Sequence, residues 1–130
     1  VARARSVAQI VSVQNSFSPF RTVDRDLIAE LAGDSIAYLA HSPFGGLAGA
    51  ERLADALPGT AALAESRGWS VHRAIVAWQL AVGSNVIPIV GARRPSSILD
   101  SAAGASAPLD AEAFSIIDRE IADRRVESHP

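Results

Sequence analysis

Apolar and polar positions follow two different rhythms along this chain. Short β-branched runs fall at residues 10–14 ("IVSVQ"), 36–40 and 86–90, each bounded downstream by Ser, Pro or Gly, and each predicts a strand. Between them the apolar spacing becomes helical. Leu27, Ile28 and Leu31 form a stripe behind a capping Thr22 or Asp24, and Gly33 stands where a left-handed helix end is wanted. Residues 48–59 are polar and alanine-rich, which predicts a mobile, partly helical connection. Residues 60–67 form a short helix that Gly68 stops. Ser70 caps the next, in which Ile75, Val76, Gln79 and Leu80 keep helical spacing until Gly83. Pro95 opens another helix at a position where its missing N–H costs nothing. Asp110 caps the last, with Phe114, Ile117 and Ile121 on one stripe ahead of a polar tail expected to fray at residues 126–130.

Strands that alternate with helices in this way predict an α/β fold with parallel strands and helices packed outside. Three such units plus a C-terminal helix fill one domain, residues 1–130. They do not close a barrel, so two strand edges stay open for self-association or for a partner.

Composition narrows the field. The 130 residues carry a net charge of −2, with 48% apolar and 20% charged residues, a globular mix that offers no bulk positive charge for nucleic acid. There is no cysteine, so disulfides and thiolate metal sites are excluded, which suits a cytoplasmic protein. No apolar stretch approaches the roughly 20 residues that span a bilayer. All twelve basic residues are arginines, and the chain starts at Val1, which suggests a fragment or a processed chain.

In parallel α/β sheets chemistry gathers where strands end and loops begin. Three strand ends carry polar residues expected on one face: Gln14 and Asn15, His41 and Ser42, Arg93 and Arg94. The last pair follows a strand and a glycine and precedes a helix start, where free N–H groups and the helix dipole favour an anion. Arginine forks suit phosphate, although solvated surface charge explains the pair equally well. His41 has no acid at fixed spacing, His72 reads as a solvated helix position, and Trp69 and Trp78 read as packing residues. No G-x-S-x-G elbow, metal-ligand spacing, P-loop or G-x-G-x-x-G occurs. "LAESRGWSVHRAIVAWQ" has the outline of a helix-turn-helix, but its second helix offers only His72 and Arg73 to read bases and its apolar stripe is too wide for a groove-facing helix.

Taken in order, "SVQNSFSPF", "IAYLAHSPFGGL", "SVHRAIVAWQLA" and "VIPIVGARRPSSI" resemble successive segments of the aldo-keto reductase family. The resemblance implies a (β/α)8 TIM barrel that binds NADPH and reduces a small-molecule carbonyl to an alcohol by hydride transfer. Only strands six to eight of that barrel are represented, against the roughly 250 residues of a complete one. The family's catalytic Asp, Tyr, Lys and His belong to earlier strands, so no catalytic residue is expected here, and the absence of lysine agrees. The single tyrosine, Tyr38, reads as core.

What the resemblance carries over is the cofactor half. Gln14 matches the glutamine that holds the nicotinamide carboxamide, and His41 falls where the family usually stacks a tyrosine on the nicotinamide. Ser42, Phe44, Gly45 and Gly46 match the loop that approaches the pyrophosphate. Gly91, Ala92, Arg93 and Arg94 match the segment at the adenosine 2′-phosphate, which favours NADP over NAD. Ser97, Asp100 and Ser101 replace residues that are often Arg, Glu and Asn and that clasp phosphate and adenine. Two functions follow: the cofactor-binding part of an NADPH-dependent reductase, inactive alone, or a non-catalytic half-barrel module that binds nucleotide or pairs with another chain. Neither needs nucleic acid or a membrane.

Overall fold

The computed structural model describes residues 1–127, in which three parallel strands are interleaved with helices. A short helix α1 (Ala2–Arg5) precedes β1 (Ser12–Ser16), α2 (Arg25–Gly33) and β2 (Ala37–His41). Three helices follow, α3 (Gly46–Ala56), α4 (Pro58–Ser66) and α5 (Val71–Val82), then β3 (Val86–Ile89) and α6 (Pro95–Ala103). A 3-10 turn (Gly104–Ser106) leads into α7 (Ala111–Glu127). The tail expected to fray at residues 126–130 falls on the end of α7 and on residues 128–130, which lie outside the described residues.

The sheet order is β1-β2-β3, parallel throughout, with both outer edges open. Register sorts the side chains into two faces. Val13, Tyr38 and Val86 lie in one row, and Tyr38 and Val86 are buried under the helices. Gln14, Leu39 and Ile87 form the next row on the opposite face, and Ser16, His41 and Ile89 the row above it. That second face is bare: Ile87 is 50% and Ile89 40% exposed, against 3% for Val86.

The core lies between the covered face and the helices. Trp78 of α5 stacks on Phe17 at 5.5 Å, Phe17 meets Tyr38 edge-on at 6.1 Å, and Ile28, Leu31 and Ile75 close around them. Most polar groups that enter this layer find partners, although Gln79 Oε1 and Asn85 Oδ1 are buried without one. The Trp78 indole N–H donates to Asp118 at 2.9 Å, and the Tyr38 hydroxyl to Asp24 at 2.7 Å. Burial, then the Asp24 carboxylate, pushes the Tyr38 phenol above its ordinary range. The Glu120 carboxylate of α7 reaches the start of α4, where it accepts from the N–H groups of Gly59 and Thr60, both at 2.7 Å, and so caps a helix end that has no side-chain cap of its own.

Several boundaries move. The first strand runs two residues later than its composition predicts, because pairing with β2 sets its register and leaves Val11 69% exposed. Gly33 is the last residue of α2, and the left-handed turn after it is made by Ser35 at φ 57°. Ile36 N–H to Leu31 O at 2.9 Å and Ser35 N–H to Ala32 O at 3.1 Å complete the turn. The same pair of bonds closes α4, with Gly68 at φ 66° in the left-handed place. The expected connection at residues 48–59 is helix α3 and the start of α4, separated by buried Leu57. Ser70 does cap α5, accepting from Arg73 N–H at 3.0 Å, and Asp110 caps α7, accepting from Ala113 N–H at 2.8 Å.

Candidate cofactor site

A groove of about 1160 Å³ opens at the C-terminal ends of β2 and β3, slightly above the usual range of about 300–1,000 Å³ for small-molecule sites. One wall is the end of β2, the loop after it and the first turns of α3, with His41, Ser42, Phe44, Gly46, Leu47, Ala50 and Glu51. The other is the end of β3 and the start of α6: Ile89 to Arg94, Ser97, Asp100 and Ser101. His72 of α5 joins the two.

The loop after β2 turns tightly. Ser42 adopts φ 52°, unusual for a residue with a side chain, and its hydroxyl lies 3.1 Å from His41 Nδ1. Gly45 and Gly46 follow at φ 77° and 75°. They serve different ends. A Cβ at Gly45 would stand 2.4 Å from the Phe20 ring, so this glycine packs the loop onto the protein and does not line the groove. A Cβ at Gly46 would meet nothing within 4 Å, which leaves a backbone cradle open on the groove side.

One buried amide holds this loop against β1. Gln79 of α5 is fully buried, and its Nε2 donates to Phe17 O and Pro43 O, both at 3.0 Å. The carbonyls that follow β1 and β2 are therefore tied to a single side chain. Helical spacing places Gln79 on the apolar stripe, but its task is not visible there, because a polar residue at a core position shows in the sequence while its partners do not.

Arg93 and Arg94 are exposed, and neither side chain makes an ion pair or hydrogen bond with a described residue. Arg94 is the N-cap residue of α6, without a side-chain cap bond, and Pro95 opens the helix as expected. Pro95 has no N–H and the Ser97 N–H is bonded to Arg94 O at 3.1 Å, so what this helix start offers an anion is chiefly its two unpaired guanidinium groups. Ser97 is half-buried on the first turn of α6. Asp100 is already engaged: its Oδ1 lies 2.9 Å from Arg73 Nη2, and its Oδ2 accepts from the Ser70 hydroxyl. Ser101 is buried, at 5% exposure.

The structure brings together eleven of the thirteen expected positions and separates the others. Gly45 lies behind the loop. Gln14 is mid-strand, opposite Leu39 and one row below His41, on the same bare face but roughly 7 Å deeper at about 3.3 Å per residue. Asn15 is not on that face at all; its Nδ2 donates to Asp24 at 2.8 Å on the helix side. His72 is not a solvated residue: it is half-buried, its Nε2 lies 3.1 Å from Ala50 O, and Phe44 meets its ring edge-on at 4.9 Å. The helix α3 that covers it comes from a stretch whose composition predicts only a mobile, partly helical connection. Among the described residues no group of three or more His, Asp or Glu is placed to hold a metal ion, and no helix is long and apolar enough to cross a membrane.

An open run of three parallel β/α units with a groove at the C-terminal ends of its strands is the arrangement of part of a (β/α)8 barrel. The model of the Aldo/keto reductase family matches residues 1–122, and the chain belongs to that family. It is 31% identical over 120 residues to pyridoxine 4-dehydrogenase of Escherichia coli strain K12, across 91% of this chain and 40% of that protein. Among solved structures it is similar to a thermostable aldo-keto reductase in complex with the inhibitor epalrestat, with TM-score 0.77 and 20% identity, covering 92% of this chain and 43% of the other. It is also similar to a Bombyx mori aldo-keto reductase in complex with NADP, with TM-score 0.74 and 24% identity over 92% of this chain and 40% of that one. The chain thus spans about 40% of the length of the curated relative it matches.

Proposed function

We propose that this chain is the cofactor-binding part of an NADPH-dependent aldo-keto reductase, an oxidoreductase that turns a carbonyl into an alcohol. The observation that carries the reading is the pair of unpartnered arginines, Arg93 and Arg94, in one groove with the open backbone cradle at Gly46. In this arrangement the loop from Ser42 to Gly46 takes the pyrophosphate, Arg93 the 2′-phosphate, and the bare-face residues His41 and Gln14 the nicotinamide ring and its carboxamide. An amide suits a carboxamide because it offers both donor and acceptor. When bound, the cofactor supplies a hydride to the carbonyl carbon, and the oxygen must take a proton from an acid.

The one tyrosine of this chain does not supply that acid. Tyr38, its one tyrosine, is fully buried on the helix side of the sheet, with its proton held by Asp24. The chain alone is therefore expected to bind dinucleotide and to reduce no carbonyl. The bare sheet face, where Ile87 and Ile89 stand half exposed, favours a second reading in which the half-barrel pairs through its open edges with another chain.

Arg93→Ala tests the first reading. Losing a charge-assisted contact to a dianionic 2′-phosphate should weaken NADPH by about tenfold or more and leave NADH within about twofold, read by titration of nicotinamide fluorescence. Equal losses for both cofactors would return Arg93 to the surface-charge reading, and NADPH oxidation with an aldehyde by the isolated chain would overturn its inactivity. Light scattering tests the second reading, which requires a defined dimer or higher species.

A further inference from the structure

The groove has two chemically unlike ends. Arg93 and Arg94 stand at the β3 and α6 end, free and cationic. At the α3 and α5 end the lining is Phe44, Leu47, Ala50 and His72, and its one charged neighbour is the carboxylate of Glu51. The side chains of that end suit a flat, neutral ring with a donor on its edge.

His72 has a defined tautomer. Its Nε2 lies 3.1 Å from the Ala50 carbonyl oxygen, which only accepts, so Nε2 carries the proton. In the neutral imidazole Nδ1 is then a bare acceptor. It has no hydrogen-bond partner among the described residues and is not among their buried atoms, while the Phe44 ring edge fixes the plane of the imidazole. On the opposite wall Asp100 has both oxygens engaged, by Arg73 and Ser70.

We propose that His72 is a specificity-determining residue whose Nδ1 accepts from the exocyclic amino group of the adenine, across the groove from Arg93 and on the same adenosine whose 2′-phosphate Arg93 holds. The inference rests on the dinucleotide reading and adds to it a residue and a selectivity: a purine with a 6-amino group is bound in preference to one with a 6-oxo group. The oxo group places an oxygen lone pair against the nitrogen lone pair, so a hydrogen bond becomes a repulsion.

The test compares NADPH with reduced nicotinamide hypoxanthine dinucleotide phosphate, which has the same nicotinamide reporter and the same phosphates. It is run on the full chain at pH 8. The wild-type chain should bind NADPH about tenfold more tightly than the hypoxanthine analogue. His72→Phe, which keeps a ring against Phe44, should bring that ratio to about one chiefly by weakening NADPH. His72→Asn, whose Oδ1 keeps an acceptor near the place of Nδ1, should retain a preference for NADPH. Equal binding of both dinucleotides by the wild-type chain, or a preference undiminished in His72→Phe, overturns the assignment while leaving the dinucleotide site in place. If neither dinucleotide binds, the dinucleotide reading falls and the role of His72 with it. The wild-type comparison needs no variant, so a poorly folding substitution does not protect the proposal.

Discussion

The two faces of the three-stranded sheet are one residue apart in sequence and differ in almost everything else. Val13, Tyr38 and Val86 face α2 and α5 and belong to the core, whereas Gln14, Leu39 and Ile87 face open space. The covered face is defined by what the chain packs against itself, and the bare face by what it leaves free. Stability and function are thereby separated: the residues that hold the sheet together are not those that would touch a ligand, and substitutions on the two faces should have opposite profiles.

The largest effect belongs to the covered side. Trp78→Ala removes the ring stacked on Phe17 and leaves Asp118 without its indole donor, and should cost about 3–5 kcal/mol in urea unfolding. A loss under about 1 kcal/mol would mean that α5 is not the centre of the core. Gln79→Met comes next. It keeps the volume but leaves the carbonyls of Phe17 and Pro43 unpaired, for about 2–3 kcal/mol. Because it also frees the loop from Ser42 to Gly46, it should weaken NADPH binding at temperatures where the fold remains intact by circular dichroism.

On the bare face the expectation reverses. Ile87→Thr should change stability by no more than about 0.5 kcal/mol, since half of the side chain is already in water and a β-branched residue is retained. A cost comparable to Trp78→Ala would mean that this face is covered in solution. The smallest effect is a pH dependence at Asp110. The bond from Ala113 N–H, followed by the Arg67 guanidinium, holds its carboxyl below the usual carboxylate range. A group depressed in the folded state contributes above its unfolded value, so this contribution should be complete above about pH 5 and fade as pH falls through about 4 and below. Asp110→Asn should flatten that acid limb, measured as the midpoint of urea unfolding against pH.

The same division explains what could be read from the sequence. Elements on the covered side announce themselves by periodicity: the α5 stripe, Ser70, Gly68 and Asp110 all act as their residue types predict. The first strand lies two residues beyond its apolar run because Ile10 and Val11 look like core, and only pairing with β2 determines which residues alternate toward it. Ser35 took the left-handed turn expected of Gly33, since the chain reverses where Ile36 must enter the core. At the groove, the run from Gly91 to Ser101 and the loop from His41 to Gly46 were legible as strand ends. His72 was not, because its environment is made by α3, more than a dozen residues away in sequence, and spacing along one helix carries no information about what lies over it.

Gln79 has a consequence for motion. Surface loops ordinarily open by themselves, and their amide protons exchange with water long before those of the core. The loop after β2 is different, because its Pro43 carbonyl is bonded to a side chain that also holds the end of β1 and sits on the most buried helix of the protein. To open, it must first break buried bonds at the centre of the molecule. In hydrogen exchange it should therefore behave as part of the core, slow and coupled to α5, which would present any incoming ligand with a loop already shaped and with little disorder left to remove.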